Sequence, residues 1–493
     1  MGCSSSKSAA PRDIAFSTLA ADSSYSAWND VESAEETDFH AAANVADAMV
    51  KGLESKHMLD PTSSRPSEYV GFKAPVLAEL LEPYREELKA MTIEPEYTGF
   101  TLASAPAPED ALAFLEYLLL ADAVPLHRKF LYETILAGIE LIAAESGAVL
   151  PLPPVDESAR QIIVGDTHGQ LQDVLLIFKT HGPPSEKNHY LFNGDIADRG
   201  ANACEIFTLI LLFKRVYPDC VHVTRGNHEL PDINMRPVFM GGGFYHEVTS
   251  KYDIDTFHLF QALFIHLPIG ATLGGQAFVV HGGLMREDDL DMKRLTTLEH
   301  RRPCPEAPTD DDELLMFDAL WADPQEESGL HIGGRGANTI RWGPDVTRAF
   351  LQRTKMELII RSHQVPNGRR GFMTHHGGKV LTIFSASNYG GVCMNRGAVL
   401  VLSATAPPQT PEHMAPPLAE LRQAYFAEKL SSSSLAGARR WRLRAAHRGL
   451  AKQVFLEEMA PAERRVARRR LDADLCRGLK ARVCHCRDAL AAA

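Results

Sequence analysis

Short apolar runs recur through the middle of the chain, and five of them stop at a polar cluster: QIIVGDTHGQ from Gln161, HYLFNGDIADRG from His189, VHVTRGNHE from Val221, AFVVHGG from Ala277 and MELIIRSHQ from Met356. Runs of β-branched and aromatic residues bounded by glycine predict buried strands. Open α/β sheets gather their ligands just beyond the carboxyl ends of such strands. Asp166, His168, Asp195, Asn227, His281 and His363 are therefore expected on one rim. Upstream, from about Pro66 to Ser146, apolar residues return at helical spacing, as at Leu131, Ile135, Ile139 and Ile142, with Pro125 suited to a helix start. This predicts a helical collar. Residues 4–65 carry few large apolar side chains and predict a flexible tether. Pro407 to Pro417 is expected to close the core and begin a linker. The acidic TDDDE at Thr309 to Glu313 is expected to be a solvated loop. His246, His258 and His266 lie among apolar or aromatic residues without ligand spacing, and are expected in the core or behind the site.

Composition adds a frame. By length the chain of 493 residues could hold two or three domains, and one catalytic domain of about 250 residues with extensions fits as well. Its formal net charge is -12, but the ends differ: from Met1 to Asp60 there are four Lys/Arg against ten Asp/Glu, and from Arg439 to Asp488 fifteen against six. An acidic and a basic end flank the core. Eight scattered Cys with no secretory signal are expected to be free thiols of a reducing compartment. No apolar run is long enough to span a bilayer.

The rim residues then define a chemistry. Two carboxylates, three imidazoles and a carboxamide offer hard oxygen and borderline nitrogen without thiolate, a donor set for Mn, Fe or Zn. Six ligands exceed what one open catalytic ion needs and suit two divalent ions sharing a carboxylate, with Asp195 in the middle block as the bridge. Such a pair stabilises both the attacking and the leaving oxygen of an in-line phosphoryl displacement. His228, next to a ligand but free of that duty, fits a general acid, and Asp198 fits its orienter. Arg199 offers a planar fork for phosphate oxygens, with Arg335 as the second arm and Arg341 as its rival.

In these blocks the chain resembles the PPP family of metal-dependent protein serine/threonine phosphatases. The order GDTHG, GDIADRG, RGNHE, HGG, RSHQ and SASNYGG follows the family's motifs over roughly residues 156–405. The resemblance implies a calcineurin-like metallophosphoesterase fold, an α/β sandwich of two mixed sheets flanked by helices. It implies Asp166, His168 and Asp195 at one ion, and Asp195, Asn227, His281 and His363 at the other. It also implies Arg199, Arg335 and Tyr389 on the phosphate and the Asp198–His228 pair as acid, acting on phosphoprotein substrates rather than nucleic acid. LHRKFLYETIL looks like the tetratricopeptide-bearing branch; SASNY followed by NRGA looks more like the EF-hand-bearing PPEF/RdgC branch, which is slightly favoured. No tetratricopeptide repeat and no intact calcium loop accompany them, since LDADLCRG lacks the glycine and closing glutamate of such a loop. Ala197 replaces the usual Val, and Gly390 and Gly391 follow Tyr389 where many relatives carry Cys and a polar residue. A phosphoesterase for small phosphoesters and a non-catalytic phosphoprotein-binding scaffold are the rival readings.

The ends suggest location. MGCSSSK fits N-myristoylation at Gly2. One myristoyl chain binds membranes only marginally, so Cys3 is the expected palmitoyl site and the protein is expected to be cytoplasmic and peripheral to a membrane. The basic stretch at residues 437–459 places Trp441, Leu450, Val454 and Phe455 among Arg and Lys; a solvated helix, an anionic lipid surface and a calmodulin-like partner are all compatible with it. Cys476 with the CHC at Cys484 to Cys486 is read as unpaired thiols. The resulting organisation is an acylated N-terminal tether (1–65), a helical collar (66–155), a metallophosphatase catalytic domain (156–405), and a Pro-rich linker with a basic helical extension (406–493).

Overall fold

A computed structural model describes residues 77–431 apart from Ala121, Asp122, Ser146 and Ala337. The expected acylation sites Gly2 and Cys3, the expected N-terminal tether, the 437–459 segment and the C-terminal cysteines lie outside the described residues. The chain divides into two units, residues 1–115 with 125–415, and residues 116–124 with 416–493. Of the second, the described part includes the helix Leu418–Ser431, whose Arg422 donates through Nε and Nη2 to the Leu118 carbonyl at 3.2 and 3.1 Å. Among the described residues no helix is long and apolar enough to cross a membrane.

The strands of the first unit begin with β1 (Val149–Leu152), β2 (Arg160–Val164), β3 (Asn188–Asn193), β4 (Val221–Thr224), β5 (Gly270–Leu273) and β6 (Ala277–Val280). They continue as β7 (Asp323–Pro324), β8 (Leu330–Ile332), β9 (Ile340–Trp342), β10 (Leu358–Arg361), β11 (Phe372–His375) and β12 (Val380–Ile383). β13 (Gly397–Ser403), β14 (Ala406–Gln409) and β15 (Glu412–His413) complete the set. One sheet has the order β1-β5-β6-β10-β12-β11 and a second β14-β13-β2-β3-β4, with β15 also on β13; a small third sheet runs β7-β9-β8. Both large sheets are mixed: β2, β3 and β4 are mutually parallel, as are β6, β10 and β12, while β13 and β11 run antiparallel to their neighbours.

Period-two alternation makes these sheets a sandwich. Ile163, Leu191 and Leu400 of one sheet and Val279, Ile360 and Leu381 of the other join a single core cluster. Their neighbours in sequence turn outward. Phe278, Ile359 and Val380 pack with Leu315 of the helix Asp311–Trp321 and Phe350 of the helix Pro344–Thr354. Tyr190 and Phe192 meet Phe178 of the helix Leu171–His181 edge-on at 5.1 and 6.3 Å.

Several local expectations are corrected. The collar contains the helices Leu77–Ala90, Pro108–Leu118 and Arg128–Ala144, but residues 149–152 already belong to the sheet as β1, paired with β5. In the third helix Leu131, Ile135, Ile139 and Ile142 are buried; its N-cap is His127, whose Nδ1 accepts from the Lys129 N–H at 3.1 Å, so Pro125 lies two residues ahead of the cap. The Pro-rich stretch is not all linker. Ala406–Gln409 pairs with β13 as an edge strand, a place where Pro407 and Pro408 forfeit no ladder bond on the solvent side. TDDDE is a helix start rather than a loop: Asp310 caps the Glu313 N–H at 2.8 Å, and acids in the first turn complement the helix dipole. Of the three histidines expected inside, His266 is buried and bonded to the Ala262 carbonyl, whereas His246 and His258 are exposed on outward helix faces. The described cysteines, Cys204, Cys220, Cys304 and Cys393, are free.

Candidate metal centre

All five apolar runs are strands, and each ends just before an expected ligand. Asp166 and His168 follow β2, Asp195 follows β3, Asn227 follows β4, His281 follows β6 and His363 follows β10. The first three strands belong to one sheet and the last two to the other, so the site lies across the sandwich mouth. Hydrogen bonds tie the two rims together. Asn193 at the end of β3 donates through Nδ2 to the Val280 carbonyl at 2.9 Å and to Ser362 Oγ at 3.0 Å.

The turns that carry the side chains are conformationally unusual. His168, Asp195, Asp198, Arg199 and His363 all adopt positive φ, between 41° and 72°. Such backbone costs energy in non-glycine residues and persists where the surroundings over-determine it. Around Asp195 the constraint is Glu229: its buried carboxylate accepts the backbone N–H groups of Asp195, Ile196, Ala197 and Gly226, at 2.9 to 3.0 Å. Gly226 must be glycine because a Cβ there would strike the Asp195 backbone and carboxylate. Reading the sequence gave Glu229 no role, although its place directly after the GNH ligand block was the available signal.

Side-chain geometry brings the ligands together. Asp195 Oδ1 accepts the His228 N–H at 2.9 Å, while its Oδ2 lies 3.2 Å from His281 Nε2 and 3.6 Å from His168 Nε2. Asn227 Oδ1 is 3.0 Å from the same His281 Nε2. Asp166 Oδ1 accepts the His363 N–H at 3.0 Å. The distal nitrogens of two imidazoles are freed by bonds at the other side of the ring, His168 Nδ1 to the Ala197 carbonyl and His281 Nδ1 to the Asn193 carbonyl, each at 2.9 Å. Two clusters of metal-competent atoms result, His168–Asp195–His228 and Asp195–His281–His363, and Asp195 belongs to both. Asp166 falls outside these clusters, but its Oδ2 sits 3.8 Å from His168 Nε2.

The residues fit divalent cations. Asp166 Oδ2 and His363 Nε2 are buried without a hydrogen-bond partner in the protein, and buried polar atoms rarely stay unsatisfied. Charge argues the same way. Burial, then the Asp195 carboxylate, pushes the Asp166 carboxyl up. Burial opposes charge on His281, but Asp195 and Asp166 outweigh it and push the imidazole up to about 9. Burial and the nearby His228 hold His168 down at about 3, so it is a neutral nitrogen donor. A buried cluster that holds protons to offset its carboxylates is one in which cations can replace them.

The other site residues surround this rim. His228 Nδ1 is 2.6 Å from Asp198 Oδ2, and Asp198 Oδ1 accepts the Phe244 N–H at 2.9 Å. Because Nδ1 is engaged, Nε2, 4.0 Å from Asp195 Oδ2, is the nitrogen turned to the rim. Burial lowers His228, but Asp195 and Asp198 outweigh it and raise it. Tyr389 stacks on His168 at 5.1 Å, and burial raises its phenol. It opens a turn through Gly390 and Gly391, both at positive φ. Arg335 donates through Nε to Asp323 Oδ2 at 2.6 Å and through Nη2 to the His363 carbonyl at 3.3 Å. Its rival Arg341 is exposed on β9 and reaches the Ile332 carbonyl instead. Arg199 donates its backbone N–H to the Gly242 carbonyl at 3.2 Å, and its guanidinium lies against Gly241.

Comparison with known proteins places this arrangement. Residues 159–367 match the family described as calcineurin-like phosphoesterase. Human serine/threonine-protein phosphatase 5 is 38% identical over 62% of this chain and 57% of its own length. Serine/threonine-protein phosphatase T of Schizosaccharomyces pombe is 35% identical over 64% of this chain and 63% of its own. The chain thus spans somewhat more than half the length of these relatives. A solved serine/threonine phosphatase from Saccharomyces cerevisiae superposes with a TM-score of 0.54 at 29% identity, covering 59% of this chain and 92% of that one. These relatives are phosphatases 5 and T, so they do not carry the slight preference for the EF-hand-bearing branch. Residues 159–367 thus carry the calcineurin-like phosphoesterase match, and the chain around them is similar in sequence to protein serine/threonine phosphatases 5 and T.

Proposed function

We propose that the chain hydrolyses phosphoserine and phosphothreonine in proteins with a pair of divalent ions, drawn from Mn, Fe and Zn, bridged by Asp195. The observation that carries this reading is the membership of Asp195 in both clusters of metal-competent atoms, with the Asp198–His228 pair beside it. Asp166, His168 and Asp195 would hold one ion, and Asp195, Asn227, His281 and His363 the other. Held by these residues, divalent ions would supply Lewis-acid polarisation of the phosphoryl group. The chain's residues do the rest. Arg199 and Arg335 clamp the phosphate oxygens, Tyr389 closes one side of the site, and His228, protonated and held by Asp198, delivers a proton to the leaving serine or threonine oxygen. Comparing turnover of a phosphoserine peptide with that of a dinucleoside polyphosphate tests the substrate class. Preference for the polyphosphate would favour the small-phosphoester reading, and no turnover of either with intact metal would favour a scaffold.

The same proposal places the enzyme at a membrane through Gly2 and Cys3. MGCSSSK supports this, and so does the need of a single myristoyl chain for a second anchor. Gly2→Ala is expected to move the protein to the soluble fraction, and Cys3→Ser to leave weak, reversible binding. If Gly2→Ala stays with the membrane, the basic 437–459 segment becomes the anchor to test, with anionic vesicles and with calmodulin.

A further inference from the structure

The small third sheet ends in an open edge. Among the described residues β8 (Leu330–Ile332) pairs with β9 on one side and with no strand on the other. The Gly343 N–H donates to the Gly329 carbonyl at 2.8 Å and the Gly333 N–H to the Thr339 carbonyl at 2.7 Å. In the antiparallel register Leu330↔Trp342 and Ile332↔Ile340, these bonds make residues 329, 331 and 333 the ones that face β9. The backbone groups of Leu330 and Ile332 therefore point away from it. Among the described residues only the Ile332 carbonyl of these has a partner, Arg341 Nε at 3.3 Å. The side chains of Leu330 and Ile332 share one face and are 39% and 75% exposed, unusual for large apolar residues on a bare edge.

A cleft of about 330 Å³ opens beside this edge. Leu330 forms part of its wall, and Met285, Leu290, Val346 and Phe350 supply an apolar floor. Its rim is acidic in effect. Arg286 is consumed by a two-pronged pair with Asp318, at 2.8 and 2.6 Å, and Arg353 is bonded to the Leu290 carbonyl at 3.0 Å with Asp289 at 3.9 Å. Asp288 is exposed and in no ion pair among the described residues, and Glu326 and Glu327 stand exposed just ahead of β8.

We propose that this edge and cleft form a docking site for an extended basic peptide of a partner protein, one in which apolar residues alternate with lysine or arginine. Such a peptide adds a strand to β8 through the outward groups of Leu330 and Ile332. With period two, its apolar side chains turn to the cleft and its cationic ones to Asp288 and the neighbouring acids. The site is separate from the metal ligands, so it serves recruitment rather than chemistry. This inference does not depend on which phosphoester is hydrolysed.

The test uses the full-length protein and a fluorescent decapeptide alternating lysine and valine, read by anisotropy, with p-nitrophenyl phosphate turnover as a control for intact fold. Saturable binding is expected, with no binding of a glutamate–valine decapeptide. Ile332→Pro removes an outward N–H without touching the β9 ladder and is expected to abolish binding; Asp288→Lys, an exposed change that leaves the fold alone, is expected to weaken it about tenfold. Absence of binding to the native protein, or equal binding by Asp288→Lys, overturns the proposal.

Discussion

His228 and Asp198 form a buried pair, Nδ1 to Oδ2 at 2.6 Å, and the second carboxylate oxygen of Asp198 is fixed by the Phe244 N–H. The ring can neither rotate nor change tautomer cheaply, so its Nε2 is committed to the rim. Under the proposed function this ring serves the leaving oxygen, although it also belongs to the His168–Asp195–His228 cluster. His228→Asn is therefore expected to keep its metal and lose kcat by about 10²–10⁴. p-Nitrophenyl phosphate, with a good leaving group, should lose less; an equal loss on both substrates would exclude protonation of the leaving group.

Asp195 serves both clusters, so its replacement should act on both. Asp195→Asn is expected to abolish turnover and lower metal content, read by elemental analysis, while the far-ultraviolet circular dichroism stays native. Native activity in this variant would sink the shared-carboxylate assignment.

Glu229 carries no proposed chemistry, yet four backbone N–H groups depend on it. Glu229→Ala leaves them buried and unsatisfied, a loss on the order of 3–5 kcal/mol in urea unfolding. Because those donors shape the Asp195 turn, metal affinity should fall as well. Glu229→Gln, which retains one acceptor oxygen, should be milder in both respects. A Glu229→Ala protein of native stability would show that the turn holds itself.

The metal-free site should respond to pH. Asp166 is raised and His281 is raised to about 9. Both shifts favour the protonated form in the folded chain, so both contribute stability that is present at low pH and lost as pH rises. For His281 that loss runs from its ordinary value of about 6.5 to about 9. Cations take the place of these protons. The Tm of EDTA-treated protein should therefore fall between about pH 6 and pH 9 relative to Mn-loaded protein, widening the gap between them. A constant gap would mean that protons do not balance the empty site.

Much of the centre was legible in the chain because strand and ligand share one local signal: an apolar run, a glycine, then an oxygen or nitrogen donor. All five runs are strands, and of the residues at their ends His168, Asp195, His281 and His363 come together in clusters that could hold a metal. Non-local features were not legible. β1 pairs with β5, more than a hundred residues away, and nothing in VLPL announces it. Glu229 works through main-chain donors, which leave no trace in residue type. Proline misled in the other direction: Pro407 and Pro408 read as linker because the sequence does not say which strand will stand at a sheet's edge. TDDDE read as solvated because acids favour solvent and helix starts alike.

Those two prolines have a consequence for behaviour in a crowd. β14 is the outermost strand of its sheet, and a proline offers no N–H to an incoming strand. This sheet margin is therefore a poor template for a second molecule. If the chain is concentrated on a two-dimensional surface, where collisions between copies multiply, this margin resists edge-to-edge polymerisation, and copies should stay separate enzymes rather than seeds of a fibre.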